Sequence, residues 1–155
     1  MLSIPKYYTF IAGQGRAKKA LTAFDAALVH SGLSSSSLVK ISSILPPKCI
    51  LKDSFEEQSG APVLSAYSHF ETNEVRTIVA CVGVAIPSSP KDHGMIMEKA
   101  GFFTKTQVEN EVQEMLHESM KLRKIEISEI KIKTSVVENI DSNSFVSAFA
   151  AVLLW

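Results

Sequence analysis

The sequence predicts an α+β fold in a single domain of 155 residues. Two observations lead to this class. The hydrophobic fraction of 46% in a chain of this length is enough to build one core. The predicted elements follow the order strand, helix, strands, and this order then repeats along the chain. Such an order favours two related halves, whose sheets face each other and carry one helix on each outer side.

The first predicted elements are a strand and a helix. Residues 7–12 form a run of aromatic and β-branched residues that is typical of a strand. We expect Gly13-Gln14-Gly15 to form a tight turn before the helix. Gly32 stands where a helix C-terminal cap is common. The apolar residues at helical spacing between these points are Ala20, Leu21, Phe24, Ala27 and Leu28.

The next predicted strand, residues 38–45, carries two adjacent serines, Ser42 and Ser43. It ends at Pro46-Pro47, because proline cannot donate a backbone hydrogen bond to a sheet.

Two further strands are predicted over residues 62–71 and 75–86, as a hairpin that turns at residues 72–74. Residues 95–99 form another short strand.

The second helix has the clearest start signal. Thr104 and Gln107 make a capping box, in which each side chain accepts from the other residue's backbone N–H. Residues 125–137 then alternate between apolar and polar, and residues 145–154 are almost continuously apolar, which is typical of strands. The predicted buried face of the helix contains Val108, Val112, Met115, Leu116 and Ser119.

The charge balance excludes some classes of partner. Lys plus Arg and Asp plus Glu number 16 each, so no net field attracts nucleic acid or an anionic membrane. The longest apolar run, residues 148–155, is too short to span a bilayer, and residues 1–6 lack the pattern of a secretion signal. We therefore expect a soluble, cytoplasmic protein without nucleic-acid or membrane partners.

Cysteine and histidine do not form a metal-binding pattern. Cys49 and Cys81 have no ligand spacing and are expected to be free thiols in the core. The histidines are scattered along the chain, so we expect no bound metal. They are His30, His69, His93 and His117.

The serine pair is a candidate site of self-cleavage. In a strained, water-poor backbone, the Ser43 hydroxyl can attack the Ser42 carbonyl and convert the peptide bond into an ester. Elimination then releases residues 1–42 as a carboxylate and leaves dehydroalanine, which hydrolyses to a pyruvoyl group and ammonia. The alternative is two ordinary strand serines, whose hydroxyls bond neighbouring backbone.

Five short segments follow one another in a characteristic order over nearly the whole chain. They are Ala23-Phe24-Asp25-Ala26-Ala27-Leu28, Ile41-Ser42-Ser43-Ile44-Leu45-Pro46-Pro47, Val84-Ala85-Ile86-Pro87, Gly94-Met95-Ile96-Met97-Glu98 and Ala148-Phe149-Ala150-Ala151. In order and spacing they resemble the pyruvoyl-dependent arginine decarboxylase family.

The resemblance implies a four-layer α/β/β/α sandwich with two related halves. It also implies self-cleavage into a β chain, residues 1–42, and an α chain, residues 43–155, which begins with the pyruvoyl group made from Ser43. The assembly implied is a homotrimer or a dimer of trimers, with active sites at subunit interfaces.

The implied reaction is the decarboxylation of L-arginine to agmatine and carbon dioxide, through a Schiff base between the substrate amine and the pyruvoyl group. Glu98 follows an apolar triplet, and the resemblance makes it the proton donor; the alternative is a solvated glutamate. Asp25 is implied to bind the substrate guanidinium through paired charge-assisted hydrogen bonds. Its alternatives are a charge on the helix surface or a structural ion pair, for instance with Arg16 or Lys19.

One position departs from the family pattern. Six residues before the serine that becomes pyruvoyl, the family usually has an asparagine that positions the scissile carbonyl, and this chain has Ser37. A serine hydroxyl can also donate a hydrogen bond, from a shorter side chain. Two alternatives to arginine decarboxylation stay open: decarboxylation of another amino acid, and an uncleaved, non-catalytic oligomeric homologue, which Ser37 favours.

Overall fold

The computed structural model describes residues 3–155, which form nine strands and two helices. In chain order these are β1 (Tyr7–Ala17), α1 (Ala20–His30), β2 (Ser37–Lys40), β3 (Ile44–Leu45), β4 (Ile50–Leu51), β5 (Pro62–Thr72), β6 (Thr77–Pro87), β7 (Gly94–Gly101), α2 (Lys105–Leu122), β8 (Ile127–Glu138) and β9 (Phe145–Leu154). The predicted α+β class is confirmed.

The strands form two sheets with an apolar core between them. Sheet A has the order β2-β5-β9-β1-β4, and sheet B has the order β3-β7-β6-β8. The core that both sheets share includes Ala66 and Val152 from sheet A and Val82 and Ile96 from sheet B, all fully buried. Ser135 in sheet B also donates a hydrogen bond to a backbone carbonyl of sheet A, at 2.7 Å. The arrangement is compatible with a sandwich.

Each helix packs on one sheet. Helix α1 packs on β1, β5 and β9 of sheet A, and α2 packs on β6, β7 and β8 of sheet B. The α2 face predicted from sequence is buried at Val108, Val112 and Leu116, and the capping box of Thr104 and Gln107 is present. No helix within residues 3–155 has the length and apolar character needed to cross a membrane.

The prediction of a tight turn at residues 13–15 is wrong, because these residues lie inside β1. A Cβ atom added at Gly13 or Gly15 would overlap the carbonyl oxygen of Ala27 or Ala23 in α1. The two glycines are therefore explained by the close approach of the helix to the strand.

The prediction of a C-terminal cap at Gly32 is confirmed. Its φ is +95°, in the region that glycine adopts without steric cost. Its N–H donates to the carbonyl of Val29, and the N–H of Leu33 donates to that of Leu28. These two bonds form a Schellman motif, which ends α1 ahead of β2.

Two predicted strand arrangements are also wrong. Residues 38–45 do not form one strand, since β2 belongs to sheet A and β3 to sheet B. Likewise β5 and β6 do not form a hairpin but lie in different sheets. Alternation of apolar and polar residues indicates a strand but does not select its partner, which tertiary packing decides.

Candidate active site

The serine pair lies where the chain crosses from one sheet to the other. Residues 41–43 connect β2, at the edge of sheet A, to β3, at the edge of sheet B. The N–H of Ile41 donates to the Ser65 carbonyl of sheet A at 3.0 Å, and the N–H of Ile96 in sheet B donates to the Ser43 carbonyl at 2.7 Å. The Ser42–Ser43 peptide bond is thus held at both ends.

A tight turn centred on Ser43 includes the carbonyl of the predicted scissile bond. The N–H of Ile44 donates to the Ser42 carbonyl oxygen at 2.9 Å, so residues 42–44 form a γ-turn. A donor at this oxygen stabilises the negative charge that develops there when a nucleophile adds to the carbonyl carbon. The main chain therefore supplies a polarising group at the predicted scissile bond.

Glu98 lies on β7, on the face that looks toward sheet A. Its neighbours on that face, Ile96 and Ala100, belong to the core between the sheets. The Glu98 side chain is 21% exposed. Burial raises the pKa of its carboxyl, while the ammonium of Lys40 opposes this rise from 3.7 Å. A carboxyl with a raised pKa keeps its proton to higher pH than an exposed one, as a general acid requires.

Lys40 is a site residue that the sequence analysis missed. It ends β2, and its ammonium donates to the Tyr67 carbonyl at 3.0 Å and lies 4.8 Å from the centre of the Tyr67 ring. The same ammonium is the cation beside Glu98. The sequence does carry a signal, a lone cation two residues before the serine pair, but the carboxylate that it meets depends on how the two sheets are placed.

Ser37 lies at the opposite end of β2 from the serine pair. Residues 37–40 pair in register with residues 62–65 of β5, so the chain is extended here. At roughly 3.3 Å per residue, the Cα atoms of Ser37 and Ile41 are about 13 Å apart. A direct hydrogen bond from Ser37 to the Ser42 carbonyl of the same protomer is therefore out of reach, and the processing role of Ser37 stays a prediction.

Asp25 lies on the exposed side of α1. It lines a groove of about 430 Å³ with Leu21, Phe24 and other residues of the same helix. Leu21 and Val29, on either side of Asp25, are 78% and 54% exposed. Three of the other apolar residues predicted at helical spacing, Phe24, Ala27 and Leu28, instead pack toward sheet A. Arg16, one of the predicted structural partners of Asp25, instead forms an ion pair with Asp141 at 3.4 Å.

The structure brings some of the predicted site residues together and leaves one apart. The Ser43 carbonyl is bonded two residues before Glu98 on β7, so the serine pair and the acid are neighbours. Phe24, next to Asp25, stacks with Tyr67 at a ring-centre distance of 6.5 Å, and the Lys40 ammonium lies 4.8 Å from the centre of the Tyr67 ring. Asp25 itself is exposed on α1, which packs on sheet A, whereas the serine pair lies between the edge strands of the two sheets.

The cysteines agree with the interpretation of structural thiols. Burial raises the pKa of both Cys49 and Cys81 to about 11, so neither forms a thiolate near neutral pH. Within residues 3–155, no group of three or more Cys, His, Asp or Glu side chains is placed to hold a metal ion.

Comparison with known proteins identifies one family. The family model described as pyruvoyl-dependent arginine decarboxylase matches residues 7–155. A pyruvoyl-dependent arginine decarboxylase of Methanococcus vannielii is 37% identical over 155 residues, which cover 97% of this chain and 91% of the relative. Proteins with the same name are 33% identical in Methanocaldococcus jannaschii, over 98% of this chain and 91% of the relative, and 32% identical in Pyrococcus abyssi, over 97% and 96%.

Proposed function

Because the chain belongs to the pyruvoyl-dependent arginine decarboxylase family, we propose that it decarboxylates L-arginine to agmatine and carbon dioxide. The pyruvoyl group, formed from Ser43, supplies an electrophilic ketone that accepts electrons as carbon dioxide leaves. The observation that carries the proposal is the Ser42–Ser43 bond, which is held between two sheet edges next to Glu98, with its carbonyl bonded to the Ile44 N–H. This arrangement fits a self-generated pyruvoyl group.

Self-cleavage uses the Ser43 hydroxyl as the nucleophile and water as the only other reactant. The Ser43 hydroxyl oxygen bonds to the Ser42 carbonyl carbon, the hydroxyl proton passes to the nitrogen of residue 43, and the C–N bond breaks to leave an ester and a free amine. The Ile44 N–H stabilises the charge on the Ser42 oxygen during this addition. Loss of the residue 43 Cα proton then expels the Ser42 carboxylate with the bonding electron pair. Water hydrolyses the remaining enamine to the ketone and releases ammonia.

Glu98 serves as the general acid of decarboxylation. It delivers a proton to the substrate carbon that loses carbon dioxide, and its partly buried position favours the protonated form before transfer. The neighbouring apolar core limits access of water, which would otherwise compete as a proton source.

Asp25 binds the far end of the substrate. Its carboxylate can hold a guanidinium through two parallel hydrogen bonds, and the apolar side chains of the groove beside it match the methylene groups of arginine. Because Asp25 does not contact the serine pair within one protomer, we propose that it serves the active site of a neighbouring protomer in a homotrimer or a dimer of trimers.

The finer architecture proposed is a four-layer α/β/β/α sandwich with two related halves. Three separate apolar clusters support it: one between α1 and sheet A, one between the two sheets, and one between sheet B and α2. Each half contributes one helix to an outer layer.

The first test is the mass of the purified, denatured protein with and without borohydride reduction. The expected result is two fragments, residues 1–42 and 43–155, the second gaining hydrogen on reduction. The Ser43→Ala variant, which lacks the nucleophile, should stay whole. Cleaved protein should then release carbon dioxide from carboxyl-labelled arginine faster than from lysine or ornithine. A wild-type chain that stays whole would contradict the proposed enzymatic function and would favour a non-catalytic oligomeric homologue.

A further inference from the structure

An ion pair joins the two products of self-cleavage. Lys40 lies on the fragment that ends at Ser42, and Glu98 lies on the fragment that begins at residue 43. Their 3.7 Å separation is longer than the roughly 3.2 Å limit of a good hydrogen bond. The direct hydrogen bond of Lys40 goes to the Tyr67 carbonyl, and its side chain is 54% exposed. The ammonium can therefore turn to a new acceptor without losing a direct bond to Glu98.

Cleavage creates a new carboxylate within reach of both groups. Ser42 is only two residues after Lys40, so the two Cα atoms are at most about 7 Å apart, and the long Lys40 side chain can reach the new chain end. The Ser43 carbonyl is bonded to the N–H of Ile96, so the new chain end forms alongside the part of β7 that carries Glu98. A carboxylate there attracts the ammonium and repels the Glu98 carboxylate, and both effects favour protonation of Glu98.

We propose that Lys40 opposes protonation of Glu98 in the uncleaved chain, and that the carboxylate released at Ser42 draws Lys40 away, so that Glu98 binds a proton from solvent more readily. The inference rests on the proposed function, because it requires cleavage after Ser42 and a proton-donating Glu98. Lys40 is here a positioning residue, since it acts on the reaction only through Glu98. Self-cleavage then both produces the ketone and favours the protonated form of Glu98.

Among the described residues around Glu98, Lys40 is the charged residue that opposes its protonation. On β6 the residue paired with Glu98 is the apolar Val82. Residues 41–43 bring one isoleucine and two serines, none of them ionisable near neutral pH. Lys99, the next residue of β7, forms its ion pair with Glu111 of α2. Among the described residues, burial raises the Glu98 pKa and Lys40 is the charge that lowers it.

The test is a nuclear magnetic resonance titration of Glu98 in protein labelled with carbon-13 glutamate. The Glu98 signal is identified by its loss in Glu98→Gln. We compare cleaved wild-type protein with uncleaved Ser43→Ala, which differ in the new chain end and in residue 43. Lys40→Met and Lys40→Arg are then placed in the Ser43→Ala background, with Lys91→Met, at an exposed loop lysine, as the matched control.

The expected pKa of Glu98 is higher in the cleaved than in the uncleaved protein. Lys40→Met should raise the pKa further in the uncleaved protein, whereas Lys40→Arg and Lys91→Met should leave it unchanged. An equal pKa before and after cleavage, or no change with Lys40→Met, would overturn the inference. Failure of the proposed function is distinct, because it appears as a wild-type chain that is not cleaved or does not act on arginine. If Lys40→Met does not fold, the comparison of cleaved and uncleaved protein still decides.

Discussion

Glu98 combines two properties, a core-facing position on its strand and a cation at its side. Its alternative interpretation as a solvated surface residue does not fit a side chain that is 21% exposed. Burial accounts for the raised pKa, because water no longer solvates the charged form. The residue can therefore hold a proton for transfer while it stays close to Ser43.

Replacement of Glu98 by glutamine should separate self-cleavage from decarboxylation. The amide keeps the size of the side chain but cannot donate a proton as a carboxylic acid does, so carbon dioxide release should fall by about 10² to 10⁴-fold. Cleavage, measured by mass, should persist. Glu114→Gln, at an exposed site on α2, is the matched control. Full activity of Glu98→Gln would contradict the assignment.

The same substitution should change how stability depends on pH. Because the pKa of Glu98 is raised in the folded protein, its protonated form stabilises the fold below the ordinary carboxyl pKa. This contribution is lost as pH rises through the raised pKa. In the uncleaved Ser43→Ala background, the melting temperature of Glu98→Gln relative to its parent should therefore increase from about pH 4 to about pH 8. A constant difference would mean that the Glu98 pKa is not raised.

At the scale of elements, the contact between β1 and α1 depends on two residues that have no side chain. Gly13 and Gly15 lie under the carbonyls of Ala27 and Ala23, where any Cβ atom would overlap the helix backbone. This close approach fixes the position of α1 on sheet A, and with it the outward placement of Asp25 and its groove.

Gly15→Ala should destabilise the protein by about 1 to 3 kcal/mol, because the helix must move away from the strand. Urea unfolding measures this change. Gln14→Ala, at the exposed residue between the two glycines, should alter stability by about 0.5 kcal/mol or less. Equal effects of the two substitutions would show that helix α1 has room to shift at no cost.

At the scale of the whole molecule, a single protomer exposes apolar side chains of α1 beside the predicted substrate-binding residue Asp25. Leu21 and Val29 of α1 are 78% and 54% exposed, and Asp25 lies between them on the helix. A helix surface that exposes apolar side chains beside a predicted substrate-binding residue is well suited to an interface between copies of the chain.

Two inactive variants should therefore restore activity when they assemble together. Asp25→Ala retains an intact Ser43 and Glu98, and Glu98→Gln retains an intact Asp25. If each site takes these groups from different protomers, co-expression in equal amounts should make about a quarter of the sites native by random pairing. Glu98→Gln co-expressed with Ser43→Ala, whose defects lie in the same half of the site, should give no rescue. Absence of rescue in the first pair would place Asp25 and Ser43 of one protomer in the same site.

Local sequence signals predicted the features that depend on near neighbours. The capping box at Thr104 and the glycine cap at Gly32 were predicted correctly, because their hydrogen bonds close within a few residues. The strand at residues 145–154 was also predicted correctly, from a nearly continuous apolar run. The ordered segments around the serine pair identified the family, which the comparisons confirm.

What the sequence determined by itself was therefore the C-terminal cap of α1, the N-terminal cap of α2, most strands, the family and the pair of serines. Only the tertiary structure decided that β2 and β3 join different sheets, that β5 and β6 do not pair, and that Lys40 meets Glu98. These contacts join residues far apart in the chain. Periodicity reports which residues are buried but not which strands bury them, so the choice of partner comes from the packing of the complete core.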